Sequence, residues 1–454
     1  RRPPRSPLFP YTTLFRSECA DMIRSARITD PRDRFAHHSA RIIAGLLDRF
    51  RPDGRLSPDG GEDVSQLTCL YSQEIIYGLA AMSNMEHPDN PLRDDYVVRN
   101  RAIGIGDYLA SRFGTTGGCN VQDGNKLIES CAPPHLLHYW ILAADELADY
   151  ISPARADAWE AAIRLYLFRI KDIEEDLWRR AGETIDSLPF DDGLRQRFLA
   201  SAILSVHGRS RGEPEIVAAG DAMMTRLLGA ISPDGYALHR GAISWYDTLI
   251  CAYGIELYER ATMSAAATGA LERIAGFLIK HQLYGGAPNP TLDYSSSLRR
   301  MTLSSLHSLS GAPAGVSIAD ELSSELSCPS RPWVPDYHSA RRASRLAEAA
   351  RFWKADSVPA APRPSSPLSV ERIDAADGAT WRLGQWKAAV RGANPVRSGG
   401  PAPTATLAIS CDTIGLVASG EFCSAARENA LYRASGMNPH ESEMIESDRK
   451  STRL

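Results

Sequence analysis

The sequence predicts a mainly α fold, an incomplete α/α toroid of about five helical hairpins followed by a truncated antiparallel β-sandwich. Three observations carry that expectation. From about residue 31 to 310, amphipathic segments alternate with more apolar ones, the pattern of an outer and an inner helical ring. The loop Ser57-Pro58-Asp59-Gly60 recurs as Ser232-Pro233-Asp234-Gly235, 175 residues later. That separation is about three units of roughly 58 residues, as in an array of helical hairpins. Beyond Pro359, Pro362, Pro364 and Pro367 the helical period gives way to short β-type runs separated by turns.

The first, wetter helix of each hairpin is expected near 31–50, 94–113, 154–180, 215–230 and 263–281. The second, drier helix is expected near 66–84, 133–149, 193–208, 243–260 and 294–309. The segment 154–180 is the clearest of the wetter set. Ser152-Pro153 supplies a cap and a pre-set first turn, and Trp159, Ile163, Tyr166, Ile170, Ile173 and Leu177 form one apolar stripe. Trp245–Tyr258 is apolar on nearly every face and reads as a helix buried on all sides. A short helix is expected near 338–353, then strands at Thr380–Leu383, Trp386–Val390, Ala405–Ser410 and Ile414–Ala418. The domain reading is a toroid over 18–355, a Pro-rich linker over 356–367 and the beginning of a β-sandwich over 368–447.

The two ends stand apart. RRPPRSPLFPYTTLFRS (1–17) and DRKSTRL (448–454) resemble a translated sequencing adapter read from opposite strands. Leu14-Phe15-Arg16-Ser17 can be written CTC TTC CGA TCT, whose reverse complement, read one base in, encodes the Asp-Arg-Lys of Asp448–Lys450 and opens a Ser codon. The expectation is a fragment at both ends. Setting aside the seven basic residues and one acid of these stretches, the 51 basic and 55 acidic residues leave a net charge of −10. That balance argues against general nucleic-acid binding but leaves room for a local basic cleft. No apolar run reaches the ~18 residues of a membrane span. The eight cysteines make no CxxC pair or short Cys/His cluster, so no metal site and no cofactor are expected. Cys411 and Cys423 are candidates for pairing across two strands.

Three stretches can carry chemistry: Asn125–Trp140, Asp234–Leu249 and Asp293–Leu309. Each runs from a loop into an inner helix, so all three are expected at one end of the ring. With these motifs the chain resembles the polysaccharide lyases that join an α/α toroid to a β-sandwich, above all the hyaluronate and chondroitin AC lyase group. Heparinase II/III-like and alginate lyases share the architecture. Asn125, Glu129, Pro134 and His135 occupy spacings similar to the group's asparagine motif, with Lys126 and Leu127 where tryptophans usually follow. Asp234, Gly235, Tyr236, His239 and Tyr246 resemble its second motif, and adjacent Arg299 and Arg300 resemble its arginine pair.

The resemblance implies β-elimination on an acidic, uronate-containing polysaccharide by a secreted or periplasmic monomer. Asn125, with Arg299 or Arg300, would hydrogen-bond the uronate carboxylate and stabilise the charge that develops when C5 loses its proton. His239 or Tyr246 would take that proton, and Tyr246 could return one to the leaving O4. A tyrosine of pKa ~10 needs a neighbouring cation to act as a base near neutrality. Tyr236, Arg240, Trp245, Glu129 and His135 are the expected substrate-binding residues. Each has a plainer role to set against this: Asn125 as a turn residue, Glu129 as a helix-terminal charge, Tyr246 as core, the arginines as a solvated face. Two other readings stand beside the lyase. A glycoside hydrolase would use paired carboxylates, with Asp59, Asp123 and Asp234 as candidates. A helical-repeat scaffold would bind carbohydrate or protein without catalysis.

Overall fold

The computed structural model describes residues 30–281, with interruptions at 53, 58–65, 89, 124–125, 183, 186–192, 240–241 and 244. It also describes 307–312, 315, 337–354 and six strands between 368 and 434. Of the five helices expected to be wetter, α1 (Pro31–Leu46) is buried without a break from Phe35 to Ala40, whereas α4 (Tyr96–Phe113), α6 (Pro153–Arg180), α8 (Pro214–Leu228) and α10 (Ala265–His281) each keep an exposed face. Between them run the drier helices α2 (Gln66–Ser72) and α3 (Ile76–Asn84), joined by a 3-10 turn, then α5 (Pro134–Glu146), α7 (Gly193–Ser210) and α9 (Trp245–Thr262). Of the fifth drier helix, only a 3-10 turn beginning at His307 is among the described residues.

Caps set the starts. Asp95 accepts from the N–H of Val97 at 2.8 Å to open α4, and Ser152 accepts from Arg155 to open α6. On α6 the expected stripe holds through Trp159, Ile163, Tyr166 and Ile170, all buried. From there the inward face rotates to Glu174 and Trp178, while Ile173 and Leu177 are only half-buried. The rotation has a partner: Glu174 forms a buried ion pair with Arg197 of α7. Helix α9 is buried without a break from Thr248 to Tyr258. Gly254 lets α9 approach α7 closely, because a Cβ there would stand 2.6 Å from the Phe198 carbonyl carbon. Gly235, at φ +95°, closes the repeated Ser-Pro-Asp-Gly turn against the backbone of Arg273 in α10.

Helix α11 (Tyr337–Phe352) takes a larger part than its short, charged sequence implies. Ala343 and Ala350 pack on α1, where Ser39 Oγ donates to the Ala343 carbonyl and Arg32 Nε to that of Ala350, both at 2.8 Å. Ser344 Oγ accepts from the N–H of Gly78 on α3 at 2.8 Å. The opposite face, Arg341, Arg345 and Glu348 at i, i+4 and i+7, points into the ring.

Two short hairpins precede inner helices. β1 (Cys119–Asp123) pairs with β2 (Lys126–Cys131) ahead of α5, and β3 (Leu238–His239) pairs with β4 (Ala242–Ile243) ahead of α9. Six further strands, β5 (Leu368–Ile373), β6 (Gly378–Leu383), β7 (Trp386–Arg391), β8 (Ala405–Cys411), β9 (Gly415–Phe422) and β10 (Leu431–Ala434), form one antiparallel sheet in strict chain order. The sheet touches the helices where His281 Nδ1, at the end of α10, lies 3.1 Å from Thr380 Oγ1 of β6. Burial, aided by Lys387 and Lys280, lowers the His281 pKa to about 3, so this contact is made by a neutral imidazole.

Candidate functional site

Contacts along α11 establish how the inner helices run. Arg345 meets His135, Glu348 meets His138 and Arg351 meets Glu146, so positions rise together along α11 and α5. Likewise Glu348 meets Tyr253 and Phe352 lies under Arg260, so α9 rises in the same sense. α5, α9 and α11 are therefore parallel, and the hairpins that precede α5 and α9 stand at one end of the ring.

That end carries those motif residues that are described near the two hairpins. His239 stands in β3 opposite Ala242, and Trp245 and Tyr246 open α9. Glu129 is exposed on β2, and Asp234 is exposed in its turn. Tyr236 is half-buried, its ring edge-on to Phe277 at 5.4 Å between centroids. Asp123 ends β1. Asn125, Arg240, Arg299, Arg300 and Asp59 lie outside the described residues. His135 is buried in the first turn of α5, with Arg345 Nη2 3.2 Å from its Nε2. Burial lowers its pKa well below the usual range, and Arg341, Arg345 and Arg195 add to the effect. His135 is thus a neutral acceptor for Arg345, while the neighbouring Arg341 is paired with the buried carboxylate of Glu74.

Deeper in the ring the first and third motif stretches meet the helix that continues the second. Glu348, fully buried, accepts from Tyr253 Oη at 2.6 Å and lies 3.1 Å from His138 Nε2. His138 Nδ1 in turn lies 3.1 Å from His207 Nε2 of α7. His307 Nε2 and Arg260 Nη2 stand 3.9 and 3.8 Å from the same carboxylate. His138 belongs to the first stretch, Tyr253 follows the second by one helical turn, and His307 closes the third. Burial alone would raise the Glu348 pKa, but His138, His307 and Arg260 outweigh it and hold the carboxyl at about 2. Glu348 is therefore an anion, so Tyr253 and His138 Nε2 donate to it. Burial lowers His207 well below its ordinary value and His307 to about 4, and it raises Tyr253 well above its own.

Sequence reasoning missed Glu348, Arg345, His207 and Tyr253. The legible signal was His135 and His138, polar residues on an otherwise apolar helix, together with a charged i, i+4, i+7 face on an alanine-rich one. Among the described residues no three His, Cys, Asp or Glu side chains form a metal-binding group. His138, His207 and Glu348 are committed to one another.

No protein-family model matches the chain, and neither does any curated protein sequence. Solved structures do. A Paenibacillus xanthan lyase superposes with a TM-score of 0.52 at 12% identity, covering 86% of this chain and 36% of that one. A Streptomyces coelicolor A3 chondroitin AC lyase in complex with chondroitin sulphate gives 0.50 at 14% identity, covering 89% of this chain and 57% of that one. The fold is polysaccharide lyase-like, and the chain spans between about a third and just over half the length of these enzymes. Among the described residues no helix is long and apolar enough to cross a membrane.

Proposed function

We propose that the chain belongs to a polysaccharide lyase that cleaves an acidic, uronate-containing glycan by β-elimination. The observation that carries the reading is convergence. Two of the stretches chosen by sequence alone, and the helix that continues the remaining one, lead to one buried centre, and two hairpins stand at the same end of the ring. Above that centre a uronate would lie with its carboxylate towards Asn125 and the Arg299/Arg300 pair. These groups would hold the negative charge that grows as C5 is deprotonated. His239 or Tyr246 takes the C5 proton, and Tyr246 delivers a proton to O4 as the glycosidic bond breaks. The domain reading, a toroid over 18–355, a linker over 356–367 and a sandwich beginning at 368, belongs to the same proposal, as do action as a secreted or periplasmic monomer and the absence of a cofactor.

Paired substitutions test it. Tyr246→Phe and His239→Ala should each slow release of unsaturated product by roughly 10²–10⁴-fold while leaving the folded state intact. Asn125→Ala should do so by ~10²–10³-fold. Asp234→Asn should have little effect, because Asp234 is an exposed turn residue. Full activity in Tyr246→Phe with none in Asp234→Asn would remove the lyase and favour paired-carboxylate hydrolysis.

A further inference from the structure

Cys119 and Cys131 are direct register partners at the base of the β1–β2 hairpin. Both are free thiols, and Cys119 Sγ approaches the carbonyl oxygen of Cys131 at 3.8 Å. We infer that these two cysteines join in an intra-hairpin disulfide when the chain folds in the presence of a low-molecular-weight disulfide such as oxidised glutathione. Opposed residues of an antiparallel pair have Cα atoms about 4.5–5.5 Å apart. A disulfide needs roughly 4.4–6.8 Å, a span that direct register partners fall within.

The location gives the bond a purpose. The ladder is irregular between Cys119 and Val121, where the pairing slips by one residue on the way to the hairpin tip. A covalent link at Cys119 and Cys131 fixes the register on the far side of that bulge. It also fixes the end of β2, which is followed after two residues by α5 and its His135 and His138. Cys131 is half-buried and Cys119 is buried. Burial, with the neighbouring Cys119, pushes the Cys131 thiol up to about 12, and burial also raises Cys119. Few thiolates exist in the finished fold, so the bond forms while the hairpin is still open and is shielded afterwards.

The chemistry is a double exchange. One cysteine thiolate attacks a sulfur of the small disulfide, whose S–S bond breaks and releases one small thiol. The second cysteine attacks the protein sulfur of the mixed disulfide and expels the other. Two protein thiols are oxidised, one small disulfide is reduced to two thiols, and the protein's two protons pass to the leaving thiolates. That the clamp steadies the strands flanking Asn125 rests on the lyase reading; the bond itself does not.

The test is a peptide map of the whole chain, refolded from denaturant in mixed oxidised and reduced glutathione and then alkylated. The expected product is a Cys119–Cys131 linked peptide, lighter by two hydrogens than the reduced pair and free of alkyl label. Reduced, already folded protein placed in the same buffer should form it far more slowly. Oxidised protein should melt higher than reduced protein, and Cys119→Ser and Cys131→Ser should each abolish that difference. Full alkylation of both cysteines, pairing of either with glutathione or another cysteine, or a redox-dependent Tm that survives in both serine variants would each overturn the inference. None of these readouts depends on activity, so a failed lyase assay leaves them untouched.

Discussion

Two regions of this molecule draw on the same residue types, histidine, tyrosine and a carboxylate. In the centre of the ring, His138, His207, Tyr253 and Glu348 bond to one another and are closed to solvent. At the end of the ring, His239 and the first turn of α9, with Tyr246, follow a turn whose Asp234 is exposed. The contrast teaches that histidine, tyrosine and a carboxylate do not by themselves mark a reacting site. In the centre the donors and acceptors are already matched to one another, which is what a scaffold requires. The central cluster ties α5, α7, α9 and α11 together through polar contacts, and it fixes the helices that carry the hairpins.

The comparison breaks most directly at Glu348. Replacing it with alanine leaves His138 and Tyr253 buried, and Arg260 half-buried, around a lost anion. Breaking a buried pair in this way costs about 3–5 kcal/mol, a large part of the stability of an ordinary domain. Urea unfolding should show that loss, and Glu348→Gln should recover part of it by keeping the shape and one acceptor. If Glu348→Ala instead kept wild-type stability and lost only turnover, the central cluster would be chemistry and the distinction drawn here would fall.

A smaller effect sharpens the same division through pH. His135, His207, His281 and His307 have folded pKa values below their ordinary value near 6.5, His281 at about 3 and His307 at about 4. As pH falls below 6.5 the unfolded chain takes up protons that the folded chain refuses, so stability declines. The slope per histidine is up to about 1.4 kcal/mol for each pH unit until its folded pKa is reached. Glu348, depressed to about 2, adds a loss that begins below its ordinary 4.5 and ends near its folded value. Unfolding midpoints should therefore fall steadily from pH 7 to pH 4. A flat profile across that interval would mean that these imidazoles are not buried as neutral groups.

Much of the fold was legible because helical rings announce themselves locally. The period of α6, the Ser152 cap and the all-apolar run of α9 placed those helices within a few residues of their observed ends. The interior of the ring was not legible. α11 reads as a wet helix because its buried partners are charged, and only Glu74, His135, His138 and Tyr253 across the ring make Arg341, Arg345 and Glu348 inward-facing. Glu174 displaced the Ile173–Leu177 end of the α6 stripe for the same reason, a partner on another helix. The β1–β2 and β3–β4 hairpins were missed because Asp-Gly-Asn and His-Arg-Gly read equally well as loops, and their strands are too short to show alternation. Of the expected ring end, the described residues place two hairpins at one end, and the buried floor beneath them was not legible.

The elimination proposed for this ring end is open to direct measurement. Purified protein incubated with a 4-linked uronate polymer, such as chondroitin or hyaluronan, should generate ultraviolet-absorbing unsaturated ends in step with new reducing ends. Reducing ends that accumulate without that absorbance would contradict elimination and assign the site to hydrolysis.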